Sequence, residues 1–375
     1  MSVVLLVAAA GAGRGSAVTK GLPGRAPALH KDILVGIHYF SGWWPEQPNK
    51  WTLNGQDWRL EYPGRVPLLG AFNGQATMDR EIEAASRYGV DYFQILWYYN
   101  DPKVAKEPHA DQLNNGLRCF MASRNSSLMA FTIEVVNHAP FDIPTDDAWD
   151  ASCREWVRCM KHPSYLRVGG RPVIKIHGLE WFLRQNDGDN RKVAAKLEHL
   201  RQVAREAGVP SPLISVGVGA GGVASGPPVE PYDFMATYMD VPPLDQRAEP
   251  YPYAKLIDWA EAGWRRYAAS ADRPYVPYVP AGWDPRPWHD PRPSFEMPTA
   301  REWRDALERV RRALAGSPKL GIPLPDGSTR KSLLIYSWNE FGEGGIVAPT
   351  KGPRYRMLEG IRAVFGPRPK RGGAM

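Results

Sequence analysis

Cysteine is scarce in this chain of 375 residues, with three in all: Cys119, Cys153 and Cys159. None has metal-ligand spacing, and Cys153 and Cys159 lie six apart on one predicted helix, which puts them off a common face. A disulfide framework is excluded, structural burial is the expected role, and the redox compartment stays undecided. Histidine is also sparse, and no His-x-His or His-x-x-x-His pair places two ligands on one element. His138, His177 and Glu134 are the one group with the chemistry to converge on a metal, but without such a pair no metal and no cofactor is expected. There is no Gly-x-Ser-x-Gly elbow and no Walker loop, which disfavours serine-hydrolase and P-loop chemistry. Lysine and arginine form no stripe, so nucleic acid is not an expected partner. No apolar run is long enough for a membrane span. No Gly/Ser linker or internal repeat divides the chain.

What is plentiful is aromatic: 14 tryptophans and 16 tyrosines, beside 36 prolines that imply many fixed loops. Hydrophobic residues make up 43% and charged residues 23%, an ordinary globular balance with ample core. The formal net charge is +7. Part of it sits in Arg368-Pro369-Lys370-Arg371, read as a solvated, disordered tail over 368–375. With the remaining charges interleaved, a mildly anionic glycan stays open as a ligand. Val3 to Ala10 is a short apolar run before small residues, like a signal-peptide core without a basic start. Residues 1–30 are therefore expected to be an export leader or a disordered one. Export to the periplasm or the outside is the expected localisation, with the cytoplasm as the alternative. Gly11-Ala12-Gly13-Arg14-Gly15 is a weak match to a dinucleotide loop, because no helix pattern follows it.

Between residues 31 and 367, strand-like apolar runs alternate with amphipathic stretches. Strands are predicted at Ile33–Phe40, Asp91–Tyr98, Leu128–Val135, Pro172–His177, Leu213–Val218, Tyr232–Tyr238, Pro274–Val279 and Leu333–Trp338. Helices are predicted at Met78–Tyr88, Asp111–Ser123, Asp146–Met160, Arg191–Ala207, Tyr253–Ala269, Thr299–Ala315 and Tyr355–Phe365, with a glycine-rich loop after the fifth strand. Eight strands in this rhythm predict an α/β chain forming a single (β/α)8 TIM barrel; a doubly wound open sheet is the alternative.

Catalytic groups of such barrels sit at the C-terminal strand ends. Those ends supply His38, Tyr39 and Trp43; Trp97, Tyr99 and Asn100; Glu134 and His138; Lys175 and His177; Tyr238; Trp283 and Asp284; and Trp338 and Asn339. Tyr98 and Tyr99 point to opposite faces, so at most one looks inward. A lone histidine such as His38 or His177 is more often a packing residue than a catalyst. Glu134, inside a strand, needs a partner; Lys175 is the candidate, unless either residue contacts sugar hydroxyls. The last strand runs into Tyr336-Ser337-Trp338-Asn339-Glu340-Phe341-Gly342-Glu343-Gly344-Gly345. Two carboxyls three residues apart, beside an indole and among glycines, supply what glycoside cleavage needs: a proton for the leaving oxygen and a base or nucleophile. The alternative is an ordinary acidic surface loop.

With Gly36-Ile37-His38-Tyr39-Phe40-Ser41-Gly42-Trp43, Leu96-Trp97-Tyr98-Tyr99-Asn100, Gly282-Trp283-Asp284 and Trp338-Asn339-Glu340-Phe341-Gly342-Glu343-Gly344, the chain resembles glycoside hydrolase family 99, the endo-α-mannosidases, and their wider relatives. The resemblance implies a retaining hydrolase of α-glycosidic bonds in a glycan or polysaccharide that works through a 1,2-anhydro sugar. By motif position it implies Glu340 as the base toward the sugar 2-hydroxyl and Glu343 as the general acid/base. The chain departs from the endomannosidases at Phe341-Gly342, where they usually carry Trp-His. Two other readings remain: a glycosyltransferase, the label some relatives carry, or a non-catalytic glycan-binding barrel. The oligomeric state is unspecified.

Overall fold

The computed structural model describes residues 32–100, 110–219, 232–270 and 272–366. The leader over 1–30, Asp101, most of the glycine-rich loop after the fifth strand and the tail over 368–375 lie outside the described residues.

Among the described residues, nine parallel strands make one barrel: β1 (Leu34–Tyr39), β2 (Tyr92–Tyr98), β3 (Ala130–Val136), β4 (Arg171–Ile176), β5 (Leu213–Gly217), β6 (Phe234–Ala236), β7 (Tyr275–Val276), β8 (Tyr278–Pro280) and β9 (Ser332–Tyr336). The strands from β1 to β6 pair in sequence order, β7 continues from β6, and β9 pairs with both β1 and β8. β7 and β8 are two halves of one barrel position. Pro277, which has no N–H for a ladder, separates them, yet its carbonyl still accepts from Leu334 N at 3.0 Å. One half therefore reaches β6 and the other β9, and eight positions close the ring. The expected (β/α)8 barrel is the observed fold.

Helices α1 (Gln75–Arg87), α2 (Asn115–Ala122), α3 (Asp146–Met160), α4 (Leu179–Arg184), α5 (Asn190–Glu206), α6 (Tyr253–Ser270), α7 (Ala300–Gly316) and α8 (Arg356–Phe365) surround it. Helix α3 matches its expected bounds because its signals are local. Thr145 accepts from Ala148 N as the N-cap, Asp146 and Asp147 fill the first turn, and Trp149, Cys153, Trp156 and Met160 repeat on the buried face. Both Cys153 and Cys159 are buried, and burial pushes both thiols up. The predicted 111–123 helix begins as a 3-10 turn, and α4 had no counterpart in the sequence reading. No helix among the described residues is long and apolar enough to cross a membrane.

The two-residue period of the strands sorts their side chains. One set, Leu34, Tyr92, Ala130, Val173, Leu213, Phe234, Val276 and Leu334, forms the apolar barrel floor. The alternate set, including Ile37, Tyr39, Phe93, Trp97, Ile133 and Ile176, packs outward against the helices. Four residues further along the inner rows stand His38, Glu134 and Tyr238, with Tyr336 two along from Leu334.

Gly36 of β1 belongs to the inner row because the Tyr92 ring lies across it; a Cβ there would fall 2.1 Å from that ring. Tyr92 cannot swing away cheaply, being buried with its hydroxyl 3.0 Å from Ser332 Oγ. Gly36→Ala should therefore destabilise the fold by about 1–3 kcal/mol through overpacking. Urea unfolding measures it, and a loss below about 0.5 kcal/mol would contradict this packing.

Candidate active site

The floor of the barrel mouth is ionic. Glu134 of β3 is buried and meets Lys175 Nζ at 2.8 Å and His177 Nδ1 at 2.6 Å through Oε1, and His38 Nδ1 at 2.9 Å through Oε2. Gln94 donates to the same Oε2 at 2.5 Å. Burial alone would raise Glu134, but Lys175, His38 and His177 outweigh it and hold the carboxyl well below its usual range. Lys175 meets Glu134 as an ion pair without good hydrogen-bond alignment. Burial pulls Lys175 down against the pull of Glu134. Desolvation also lowers His38, to about 4, and lowers His177, despite the carboxylate beside each. Both imidazoles are thus neutral at pH 7. Since Nδ1 of each faces Glu134, each ring turns its Nε2 elsewhere, and His38 Nε2 is buried without a partner.

Above this floor opens a cavity of about 300 Å³. Glu340 and Glu343 line it together with Tyr98, His138, His177 and Tyr238, and with Phe40, Trp44, Lys50, Phe141 and Trp288. The two glutamates come from a hairpin in which Asn339–Glu340 pairs with Gly345–Ile346. Glu340 N donates to Ser337 Oγ at 2.9 Å, and Tyr238 donates to Glu340 Oε1 at 2.6 Å. Tyr336 donates to Glu343 Oε2, and Arg292 Nη2 stands 3.7 Å from Glu343 Oε1. Burial holds Tyr238 and Tyr336 far above the ordinary phenol range, so both remain O–H donors.

Burial, followed by the charge of Glu343, pushes Glu340 up to about 8. Burial also raises Glu343, against the opposing pull of Tyr336 and Arg292. Two carboxyls bordering one cavity repel each other's charge, so ionisation of one opposes ionisation of the other.

A clamp fixes the hairpin. The buried Arg65 guanidinium donates to Asp284 O at 2.9 Å and Phe341 O at 3.1 Å, and it pairs with the Asp284 carboxylate. Arg286 takes the other side of that carboxylate at 2.7 Å, and Asp284 N donates to Glu343 O at 2.6 Å. Asp284 is thereby a brace for the glutamate turn, with its carboxylate taken by Arg65 and Arg286, and is not the ligand contact expected of it.

Other expected ligand contacts are also corrected, Tyr39 and Trp97 by strand parity and the rest by the partners they take. Tyr39 turns outward, and its hydroxyl donates to Glu81 Oε2 at 2.7 Å. Trp97 turns outward onto α3, with Nε1 3.3 Å from Glu155 Oε1. Trp338 is buried against Glu81 at 3.0 Å. Asn339 spends its amide on Phe40 N and O, at 2.9 and 2.7 Å, and ties the hairpin to the end of β1. Trp43 donates to Asn339 O at 2.8 Å and packs on Trp51 and Phe341 beneath the hairpin. Trp283 is buried under the Arg292 guanidinium, 4.3 Å from its ring. Tyr99 and Asn100 are half-buried and do not line the cavity; Tyr98 does. His38, Glu134 and Lys175 are buried beneath the cavity and do not line it, contrary to what was expected of them, while His138, His177, Tyr238, Glu340 and Glu343 are cavity wall.

Sequence reasoning missed Tyr336, Arg65, Arg292, Lys50 and Trp288. Tyr336 was within reach, since it shares the inner row of β9 with Leu334. Trp288 also explains the departure at Phe341-Gly342: a Cβ on Gly342 would lie 2.1 Å from the Trp288 ring. The indole fills the space that a side chain at 342 would need.

No protein-family model matches the chain. Two curated relatives are similar in sequence, both "Uncharacterized protein WxcX" from strains of Xanthomonas campestris pv. campestris. One is 25% identical over 93% of this chain and 50% of the relative, and the other 26% over 55% and 28%. The chain thus spans half or less of the curated relatives it matches. Among solved structures, a "Glycoside hydrolase-like protein" superposes with TM-score 0.63 at 14% identity, covering 92% of this chain and 97% of that one. The GH99 endo-alpha-mannosidase from Bacteroides thetaiotaomicron superposes with TM-score 0.56 at 12% identity over 88% and 95%. These likenesses are of fold: the chain shares the barrel of those structures.

The neutral His38 has a consequence for stability. Its folded pKa of about 4 lies below the ordinary 6.5, so between those values the unfolded chain binds a proton that the fold refuses. Stability should fall as pH drops from about 6.5 toward 4. The anionic Glu134, held low, adds its own loss only once pH passes below the ordinary carboxylate range. Urea unfolding at pH 7 and pH 5 should show a smaller drop for His38→Gln than for wild type; equal drops would contradict a neutral buried His38.

Proposed function

We propose that this chain is a retaining glycoside hydrolase, endo-α-mannosidase-like in its course, that cleaves an α-glycosidic bond in a glycan or polysaccharide with Glu340 and Glu343 as the reacting carboxyls. The observation that carries this reading is the pair itself: a buried Glu340 and a partly buried Glu343, each held by a tyrosine hydroxyl, on one wall of an aromatic-lined cavity. A glycosidic bond needs one acid and one base at once, and a singly protonated pair supplies both.

The course follows from the two roles. Glu340 takes the proton of the sugar 2-hydroxyl as its oxygen bonds to the anomeric carbon. The bond from that carbon to the leaving oxygen breaks, and the leaving oxygen receives the proton of Glu343. Glu343, now ionised, takes a proton from water as water attacks the anomeric carbon. The 1,2-anhydro ring opens, and the 2-oxygen recovers its proton from Glu340. Two displacements give net retention. Neither carboxyl bonds to carbon, which differs from retaining enzymes with a carboxylate nucleophile.

In the free chain the shared proton leans toward Glu340, since Tyr336 and Arg292 favour an ionised Glu343. A bound sugar reverses that balance, because its leaving oxygen accepts from Glu343 and its 2-hydroxyl donates to Glu340. Purified protein screened against α-mannans and bacterial polysaccharides, with product anomers followed by proton NMR, should release the retained anomer first. Glu343→Gln should lose about 10²- to 10⁴-fold in hydrolysis while still binding glycan; activity within about threefold of wild type would contradict the assignment.

The pH profile of kcat/KM should be bell-shaped, falling at low pH when both carboxyls are protonated and at high pH when both are ionised. The Tyr238 hydroxyl stabilises ionised Glu340. Tyr238→Phe should therefore shift the acid limb to higher pH, and an unmoved acid limb would contradict the base role of Glu340.

A further inference from the structure

Basic side chains crowd the loops around the glutamate hairpin, and nearly all have carboxylate partners. Arg65 and Arg286 share Asp284, and Arg292 pairs with Asp290 at 2.6 Å. Lys175 is spent on Glu134. Lys50 is the exception among the described residues of this cavity. It lines the wall, half-buried, and no carboxylate comes within ion-pairing distance of its Nζ. Its ammonium is steadied instead by aromatic faces, 5.5 Å from the Trp288 ring centroid and 5.9 Å from that of Phe40. Its backbone is fixed as well, since the Lys50 carbonyl accepts from Trp58 Nε1 at 2.7 Å and from Trp288 Nε1 at 3.3 Å.

A half-buried ammonium flanked by rings, with no anion of its own, is left available to pair with an anionic group on a ligand. The two glutamates feel its charge, which lowers both, yet neither closes on it. Lys50 and the carboxyl pair thus border the same space without filling it. A neutral glycan needs no cation there, because hydroxyls are served by the histidines, tyrosines and carboxyls already present.

Resting on the hydrolase reading above, we propose that the substrate is an acidic glycan. A sugar bound beside Glu340 and Glu343 carries an anionic substituent, a uronate carboxylate or a sulfate ester, that pairs with Lys50 Nζ. The chain's formal charge of +7 agrees with a polyanionic partner.

The test uses the Glu343→Gln chain as a non-hydrolysing binder and chemically matched probes. These are uronate-containing polysaccharides with their carboxyl-reduced forms, and sulfated polysaccharides with their desulfated forms. Affinity electrophoresis should show the acidic member of a pair bound at least about tenfold more tightly than its neutral form, as expected for one charge-assisted contact. The responding pair tells carboxylate from sulfate. Adding Lys50→Met should collapse that acidic-to-neutral ratio toward one, and Lys50→Arg should restore most of it. Equal binding of acidic and neutral forms, or a ratio that survives Lys50→Met, would overturn the inference. Wild-type hydrolysis of a neutral glycan, with no preference for its acidic counterpart, would sink this inference and leave the hydrolase reading standing. Failure to bind or cleave any glycan would sink both.

Discussion

The site depends first on the buried carboxylate of Glu134. It stands at the centre of the barrel, where an isolated charge would be prohibitive, and one fixed cation and two imidazoles, from β1 and from the end of β4, hold it. That arrangement determines the orientation of His38 and His177, whose Nδ1 atoms must face the carboxylate. It also keeps Lys175 off the cavity wall. The mouth of the barrel is therefore built on a charged floor that is already satisfied, and the groups above it are left to act on a ligand.

The second layer is a matter of placement. The Arg65–Asp284–Arg286 cluster grips backbone carbonyls of the glutamate turn, and Asn339 laces its start to the end of β1. Glu340 and Glu343 are fixed at both ends by groups that do no chemistry themselves. Such rigidity matters because general acid/base catalysis is geometry first and pKa second. Tyr238 and Tyr336, one on each carboxyl, make the two members of the pair inequivalent before any sugar arrives.

Much of the fold was legible because its signals are local: apolar runs with a two-residue period, and amphipathic stretches such as α3 with its Thr145 cap. The break between β7 and β8 was hidden, since Pro277 in an apolar run looks like any strand start until both neighbours are known. At the site, the Glu340–Glu343 turn was legible from its glycines and its position after a strand. The aromatic contacts were read less well. Tyr39 and Trp97 sit in outward rows, and applying the Tyr98/Tyr99 parity argument to every strand would have removed them; Trp338 has the parity of the inner residues Leu334 and Tyr336, but it lies past the end of β9 and turns to Glu81. Arg65, Lys50 and Trp288 come from long loops with no period, so nothing in the sequence placed them beside residues up to nearly three hundred positions away.

The central claim is that Glu340 and Glu343 behave as one acid carrying a single proton near neutral pH. It is tested most directly by a carbon-13 NMR titration of the glutamate side-chain carboxyls in wild type, Glu340→Gln and Glu343→Gln. The account predicts two separated steps in wild type, one well above the ordinary carboxylate range, and a drop in the Glu340 step once Glu343 is neutralised. Two carboxyls titrating together at ordinary values, each indifferent to loss of the other, would contradict it.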